Sequence, residues 1–315
     1  MAATAAGEHA EVRRGTVVVT GAFSYSGRYI ARRLLDRGVR VRTLTNHPSP
    51  QDPLAAAVPA FPLDFSRPDA LTEALTGADV LVNTYWVRFP YRGLTYEHAV
   101  RNSETLFHAA RAAGVRRIVH VSIANPSLDS PLGYYRGKAQ VEAALRATAL
   151  SHAILRPTVL FGREDILVNN IAWFVRRFPV FVIPGDGRYR LQPIYVEDFA
   201  ALVTDAVERR DDYILDAVGP ETFTFEDLVR LIARTLRRSD RIIHLPAGLA
   251  WTLTWLVGRF VGDVVLTREE YRGLMDDLLV SPQPPPGTTR LSEWLAGNAG
   301  RVGSQYASEL ARHFS

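Results

Sequence analysis

Residues 16–46 read TVVVTGAFSYSGRYIARRLLDRGVRVRTLTN. A β-branched run gives way to a segment in which Ile30, Leu34 and Leu35 share one helical side, and the strand-like run VRVRTLTN follows. That alternation spells a β-α-β unit opened by a tight turn. Gly21 lets backbone approach a phosphate, Gly27 allows close contact of helix and strand, and the first amides of the helix point at an anion. The candidate diphosphate cradle is therefore Gly21, Phe23, Ser24, Tyr25, Ser26 and Gly27. Ser24 stands where a middle glycine is usual, so the turn taken alone reads equally as a nucleotide site or a plain strand-helix turn.

The chain has 315 residues, 47% of them hydrophobic and 22% charged, which suits one large domain with or without an attached lobe. It has no cysteine, so disulfides and thiolate metal sites are excluded. The formal charge of +4 is spread along the chain without a basic block, which argues against a nucleic-acid tail. Of 37 basic residues only Lys138 is a lysine, so arginine serves wherever a surface cation is wanted and a compact ammonium is used once. The eight histidines form no HxH or HExxH spacing, and no metal site is expected. Residues 1–15 read as a disordered lead-in without the apolar core of a signal peptide, and the protein is expected in the cytoplasm. Leu245 to Leu266, with Trp251, Trp255 and Leu256, is too interrupted to span a bilayer; it reads as a buried or covering helix, with peripheral membrane contact as the alternative.

Strand candidates continue at Ala60 to Leu63, Asp79 to Thr84, Arg117 to Val121 and Ala153 to Leu155, with helices between them, including Pro68 to Leu75 and Tyr96 to Ala113. This predicts an α/β fold, a Rossmann-type doubly wound parallel sheet with a small, mostly helical C-terminal lobe. Residues 16–160 make the dinucleotide domain and 161–315 the substrate-side lobe, with 192–217 returning to the sheet. Gln192 to Asp198 is expected as a strand running into a helix, and Thr224 to Leu236 as a helix capped by Thr224. Asp64, followed by Phe65, sits at a strand end, where it either accepts from an adenine amino group or caps its own loop. The aromatic loop Tyr85 to Tyr96 is either a pocket wall or packing beneath a crossover.

Tyr134 and Lys138 are four apart, on one face if the segment is helical. A neighbouring ammonium stabilises a phenolate and makes tyrosine usable as an acid or base near neutrality. Ser122, at a strand end, can hold the substrate oxygen. Beside a nicotinamide these groups suit hydride transfer, with Tyr134 handling the proton and Lys138 holding the ribose.

These residues resemble the short-chain dehydrogenase/reductase superfamily in its extended and atypical branch. The TGxxxxSG turn, Asp64, Asn83, Asn102, Ser122, Tyr134, Lys138, Arg156-Pro157 and the Tyr195 to Asp198 segment fall where that pattern places them. The C-terminal part is similar to NmrA-like proteins and to the nucleotide-binding accessory subunit of respiratory complex I. The resemblance implies bound NAD or NADP and an active-site set of Ser122, Tyr134 and Lys138 with Asn102. It adds Asn83, Thr84, Pro157 and Thr158 to the cofactor site. The second strand ends in Thr43, Thr45 and Asn46, the last counted in the cofactor site, without an acidic residue, so a 2′-phosphate meets no repulsion and Arg42 or His47 can reach it; NADP is favoured.

The expected function is an NAD(P)-dependent oxidoreductase for a small apolar or ring-containing hydroxy or carbonyl compound. Tyr85, Trp86, Phe161, Gln192 and Tyr195 are the expected substrate walls. A non-catalytic NAD(P)-binding regulatory or respiratory-complex accessory protein is the alternative, and a sugar-nucleotide epimerase or dehydratase a third. The helices carrying Asn102 and Tyr134 are the surfaces for a homodimer, as in the family.

Overall fold

A computed structural model describes residues 15–91, 93–246, 248–249 and 267–308. The expected lead-in before residue 15, Trp251, Trp255 and Leu256 lie outside the described residues. The chain forms two compact units, one comprising residues up to Pro157 together with Val196–Ala217, the other Thr158–Tyr195 together with the residues from Val218 onward.

In chain order, unit one begins with β1 (Thr16–Thr20), α1 (Tyr25–Asp36), β2 (Arg40–Leu44), β3 (Ala60–Phe61), α2 (Pro68–Leu75) and β4 (Val80–Asn83). It continues with α3 (Tyr96–Ala112), β5 (Arg117–Val121), α4 (Gly133–Ala147) and β6 (Ser151–Pro157). Unit two then supplies β7 (Leu160–Phe161), α5 (Leu167–Arg177), β8 (Phe181–Pro184), β9 (Arg190–Leu191) and β10 (Ile194–Tyr195). The chain returns to unit one as α6 (Val196–Glu208) and β11 (Tyr213–Ala217). It finishes in unit two with β12 (Phe223–Thr224), α7 (Phe225–Thr235), β13 (Ile242–Leu245), α8 (Arg268–Met275) and α9 (Leu291–Asn298).

Unit one is built on a seven-stranded sheet in the order β3-β2-β1-β4-β5-β6-β11, every pairing parallel. Such a sheet needs cover on both faces, and the strands read as continuous apolar runs for that reason. α2, α3 and α4 pack side by side on one face, where Leu71, Leu75, Leu106, Phe107, Val141 and Leu145 meet Leu81, Ile118 and Ile154. On α1, which packs against α6, Ile30 and Leu34 are fully buried. Arg37, at the end of α1, pairs with Asp205 at 2.7 Å and Glu208 at 3.1 Å on α6; the solvent-facing Asp205 pair contributes little to stability. The alternation reverses between β1 and β4, so the carboxyl ends of those strands flank the crevice where such folds take ligands.

Unit two has its own core, in which Phe161, Val168, Ile171, Ile183, Leu228 and Ile232 gather around α5 and α7. Thr224 caps α7, accepting from the Asp227 amide at 3.0 Å, as its position in the sequence predicts. The strand expected over Gln192 to Asp198 is only Ile194–Tyr195, because helix α6 starts at Val196. Likewise β3 stops at Phe61, ahead of Pro62, which has no amide to continue the ladder. No helix among the described residues is long and apolar enough to cross a membrane.

The tightest constraint in unit one is the approach of α1 to β1. A Cβ at Gly27 would lie 2.1 Å from the Gly21 carbonyl oxygen, a backbone atom that cannot step aside alone. Gly27→Ala should therefore lower stability by about 1–3 kcal/mol, read by chemical denaturation, and loosen the turn that cradles phosphate.

Candidate functional site

The phosphate turn is held from below. Gly21 adopts φ +66°, a left-handed conformation that favours glycine, and its amide donates to the Leu44 carbonyl at 2.8 Å. Thr43 Oγ1 accepts from the Ala22 amide at 3.0 Å while donating to the Val19 carbonyl at 2.8 Å. Ser24 stands at the N-cap of α1, but its hydroxyl turns back and donates to the Gly21 carbonyl at 2.6 Å. It thus braces the turn that a middle glycine would leave open. No acidic residue occupies the first turn of α1, so the positive end of the helix dipole faces the turn unneutralised. Phe23, Tyr25 and Ser26 are half-buried around it. A bare glycine pair and an uncapped helix start fit the diphosphate of a dinucleotide.

The expected nucleoside contacts divide. Asp64 Oδ1 accepts from the Ser66 amide at 3.0 Å and hydroxyl at 2.6 Å, which holds its carboxyl below the usual range; it caps its loop. Phe65 packs its ring 4.7 Å from that of Tyr85. Thr84 and Thr20 bond each other's backbone, locking the ends of β4 and β1 together. Asn83 is fully buried: its Oδ1 accepts from Thr20 Oγ1 and the Tyr85 amide, and its Nδ2 donates to His120 Nδ1 at 3.1 Å. Asn46 accepts from the Leu63 amide at 3.2 Å, and His47 is exposed.

Arg42 requires correction. Its guanidinium donates to the Thr76 carbonyl at 2.9 Å and lies over Phe61, because Thr76 precedes β4 and so stands at the amino ends of the strands. Bonded there, Arg42 is turned from the carboxyl ends of the strands and gives NADP no advantage over NAD.

The would-be catalytic groups do come together, but turned inward. Helix α4 places Tyr134, Lys138 and Glu142 on one face at successive intervals of four. Ser122, 3% exposed, donates its hydroxyl to Glu142 Oε1 at 2.5 Å. Glu142, 1% exposed, also binds Arg156 through both oxygens, at 2.9 and 2.5 Å. The pair raises the pKa of Arg156 further above its ordinary value. Lys138, 3% exposed, donates to the Val121 carbonyl at 2.9 Å, and its ammonium lies 4.6 Å from the centre of the Trp86 ring. Burial pulls its pKa down to about 7 despite the nearby Glu142 carboxylate. The same burial, with the Lys138 charge beside it, holds the His120 pKa well below its ordinary value.

Trp86 is the lid of this arrangement. Its indole stacks on Tyr96 at 6.1 Å, meets Tyr134 edge-on at 5.7 Å, and leaves Nε1 buried without a hydrogen-bond acceptor. Gly137 makes room for it, since a Cβ there would lie 2.9 Å from the ring. Tyr134 remains half-buried, and Asn102 donates to the Tyr85 hydroxyl at 2.8 Å. Burial raises the Tyr85 pKa and outweighs that bond, which lowers it. Sequence reasoning missed Glu142, although the interval Tyr134, Lys138, Glu142 was there to be extended, and it took Trp86 for a substrate wall.

In unit two, two of the expected walls are interior. Phe161 is fully buried against Tyr195 and Trp294. Gln192, 6% exposed, donates to the Gly219 carbonyl at 2.9 Å and accepts from the Ser281 amide at 3.1 Å. Its backbone carbonyl takes the Thr158 hydroxyl, so Thr158 is bonded within its own unit. Tyr195 is half-buried, and Pro157 closes β6 in unit one. Among the described residues no group of His, Asp or Glu side chains is placed to hold a metal ion.

Comparison with known proteins bears on this geometry. A family profile described as NAD(P)H-binding matches residues 21–169. A ceramide reductase of Caulobacter vibrioides is 30% identical over 251 residues, 74% of each chain. The chain belongs to the extended short-chain dehydrogenase/reductase family. Its fold is an NAD(P)-binding Rossmann fold of that family, with no clear preference between the two nucleotides. Subunit 9 of the NADH dehydrogenase 1 alpha subcomplex from Arabidopsis thaliana is 27% identical over 246 residues, 74% of this chain and 60% of that protein. An NADPH-dependent quinone oxidoreductase of Escherichia coli, solved with NADPH, superposes with a TM-score of 0.70 at 19% identity, covering 95% of this chain and all of the other. That likeness carries the fold alone. The expectation of a cytoplasmic protein does not stand: subunit 9 relatives from A. thaliana, rat, mouse and Dictyostelium discoideum are named as mitochondrial.

Burial of the Lys138 ammonium sets how stability should depend on pH. Lys138 binds its proton less tightly folded, with a pKa of about 7, than unfolded, with the ordinary value of 10.5. Between those values the unfolded state holds the extra proton, so stability rises with pH through that window. The chain has no cysteine and no second lysine to confuse it. Lys138→Met, measured by denaturant unfolding from pH 6.5 to 9.5, should abolish the rise; a wild-type curve that is flat or falls would contradict the burial.

Proposed function

We propose that the protein is an NAD(P)-binding accessory or regulatory member of its family, in which dinucleotide binding is retained and hydride transfer is not its task. The observation that carries this reading is the engagement of the family's reactive groups with the protein itself. Ser122 gives its hydroxyl to Glu142, and Lys138 gives its ammonium to the Val121 carbonyl beneath Trp86. A serine that already donates to a buried carboxylate has no proton left to hold a substrate oxygen, and a lysine under an indole is withheld from a ribose. The phosphate turn, by contrast, keeps Gly21 and Gly27 in the geometry that close backbone approach requires. When bound, the nicotinamide would supply redox chemistry; what these residues do is bind, orient and seal. Relatives named as NADH dehydrogenase subunits support a role within a larger assembly.

A second reading, a reductase, is favoured by Tyr134, which stays half-buried on the Lys138 face, and by the relative named ceramide reductase. One experiment separates the two. Calorimetry with NADH and NADPH, followed by assays with quinones and with short- and long-chain ketones, should give saturable binding, no dinucleotide oxidation, and the same affinity for Tyr134→Phe. Turnover that Tyr134→Phe abolishes would install the reductase in its place, and absence of binding to either nucleotide would defeat both.

A further inference from the structure

In unit two, β8 and β13 form a two-stranded parallel ribbon whose side chains part to opposite faces. Phe181, Ile183 and Ile242 turn into the core. Val182 and Ile243, partners across the ribbon, turn outward and are 38% and 49% exposed. Pro184 and Leu245 are the next outward pair, both half-buried. Phe178 just before β8 is 50% exposed, and Leu249 just after β13 is 60% exposed.

The amino end of the same ribbon is basic. Arg177, Arg238 and Arg241 are exposed there, and Arg176 has its pKa lowered by burial and then by the like charges of Arg238 and Arg177, which places those guanidinium groups close together. Asp240, next to Arg241 in the chain, is committed to Arg230 and Arg234, and Glu226 to Arg230 and His244. Singly exposed apolar residues need no explanation, but an outward row beside clustered arginines has a specific complement.

We propose that this face of unit two docks on an anionic lipid bilayer. Val182, Ile243 and Leu249 enter the headgroup boundary, and Arg177, Arg238 and Arg241 meet lipid phosphates. The inference is independent of the dinucleotide site and goes beyond the function proposed above. The test is flotation of the full chain with vesicles of phosphatidylcholine alone and of phosphatidylcholine with an equal part of phosphatidylglycerol. Flotation is expected only with the mixed vesicles, and high salt should release the protein. The pair Val182→Asp with Ile243→Asp should weaken binding about tenfold or more, as should Arg177→Gln, Arg238→Gln and Arg241→Gln together, with circular dichroism unchanged. Failure to float at low salt, or flotation that ignores both sets of substitutions, overturns the proposal. So does a concentration-dependent dimer in light scattering that Ile243→Asp dissolves, which would make the face a protein interface.

Discussion

A single ammonium group sets the terms for the rest of the site. Lys138 is buried, and a buried charge must find partners or lose its proton. Its partners are the carbonyl of Val121, the last residue of β5, and the face of Trp86. That requirement propagates outward. The indole needs Tyr96 behind it and a glycine at position 137 below it, and Tyr85, the residue before it, is fixed by Asn83, itself bonded to Thr20 and His120. One turn further along α4, Glu142 carries the negative charge that favours the ammonium, and Arg156 and Ser122 complete its hydrogen bonding.

The two ends of the crevice are thus in different conditions. At the β1 end, Gly21 and Gly27 leave backbone accessible to an anion. At the β5 end, Ser122 and Lys138 are bonded within the protein. A network this well paired is stiff, because opening it strands a buried carboxylate, a buried ammonium or both. The indole Nε1 at the lid and the His120 Nε2 are buried without a hydrogen-bond partner.

How much of this was legible in the sequence follows from what each signal depends on. The β-α-β opening was plain, because strand period, helix period and turn glycines are local properties of residues 16–46. The parallel sheet followed from repetition of that unit. Helix α4 was correctly read as bringing Tyr134 and Lys138 to one face, since a spacing of four guarantees it. What the spacing could not say was which way the face turns. Arg42 and Gln192 went wrong for the same reason: both are polar residues near strands, and only the tertiary fold shows Arg42 bonded at the amino edge and Gln192 stapling Gly219 to Ser281. Phe161 belongs to a core that did not exist until unit two was assembled.

The central claim, that the family's lysine is sealed beneath Trp86 with its charge weakened, has a direct spectroscopic test. Because Lys138 is the only lysine, selective isotope labelling yields one side-chain amine resonance. Its chemical shift, followed by NMR from pH 5 to 11, should titrate with an apparent pKa of about 7. A midpoint near 10.4, the value of a lysine in water, would place the ammonium in solvent and remove the foundation of the account.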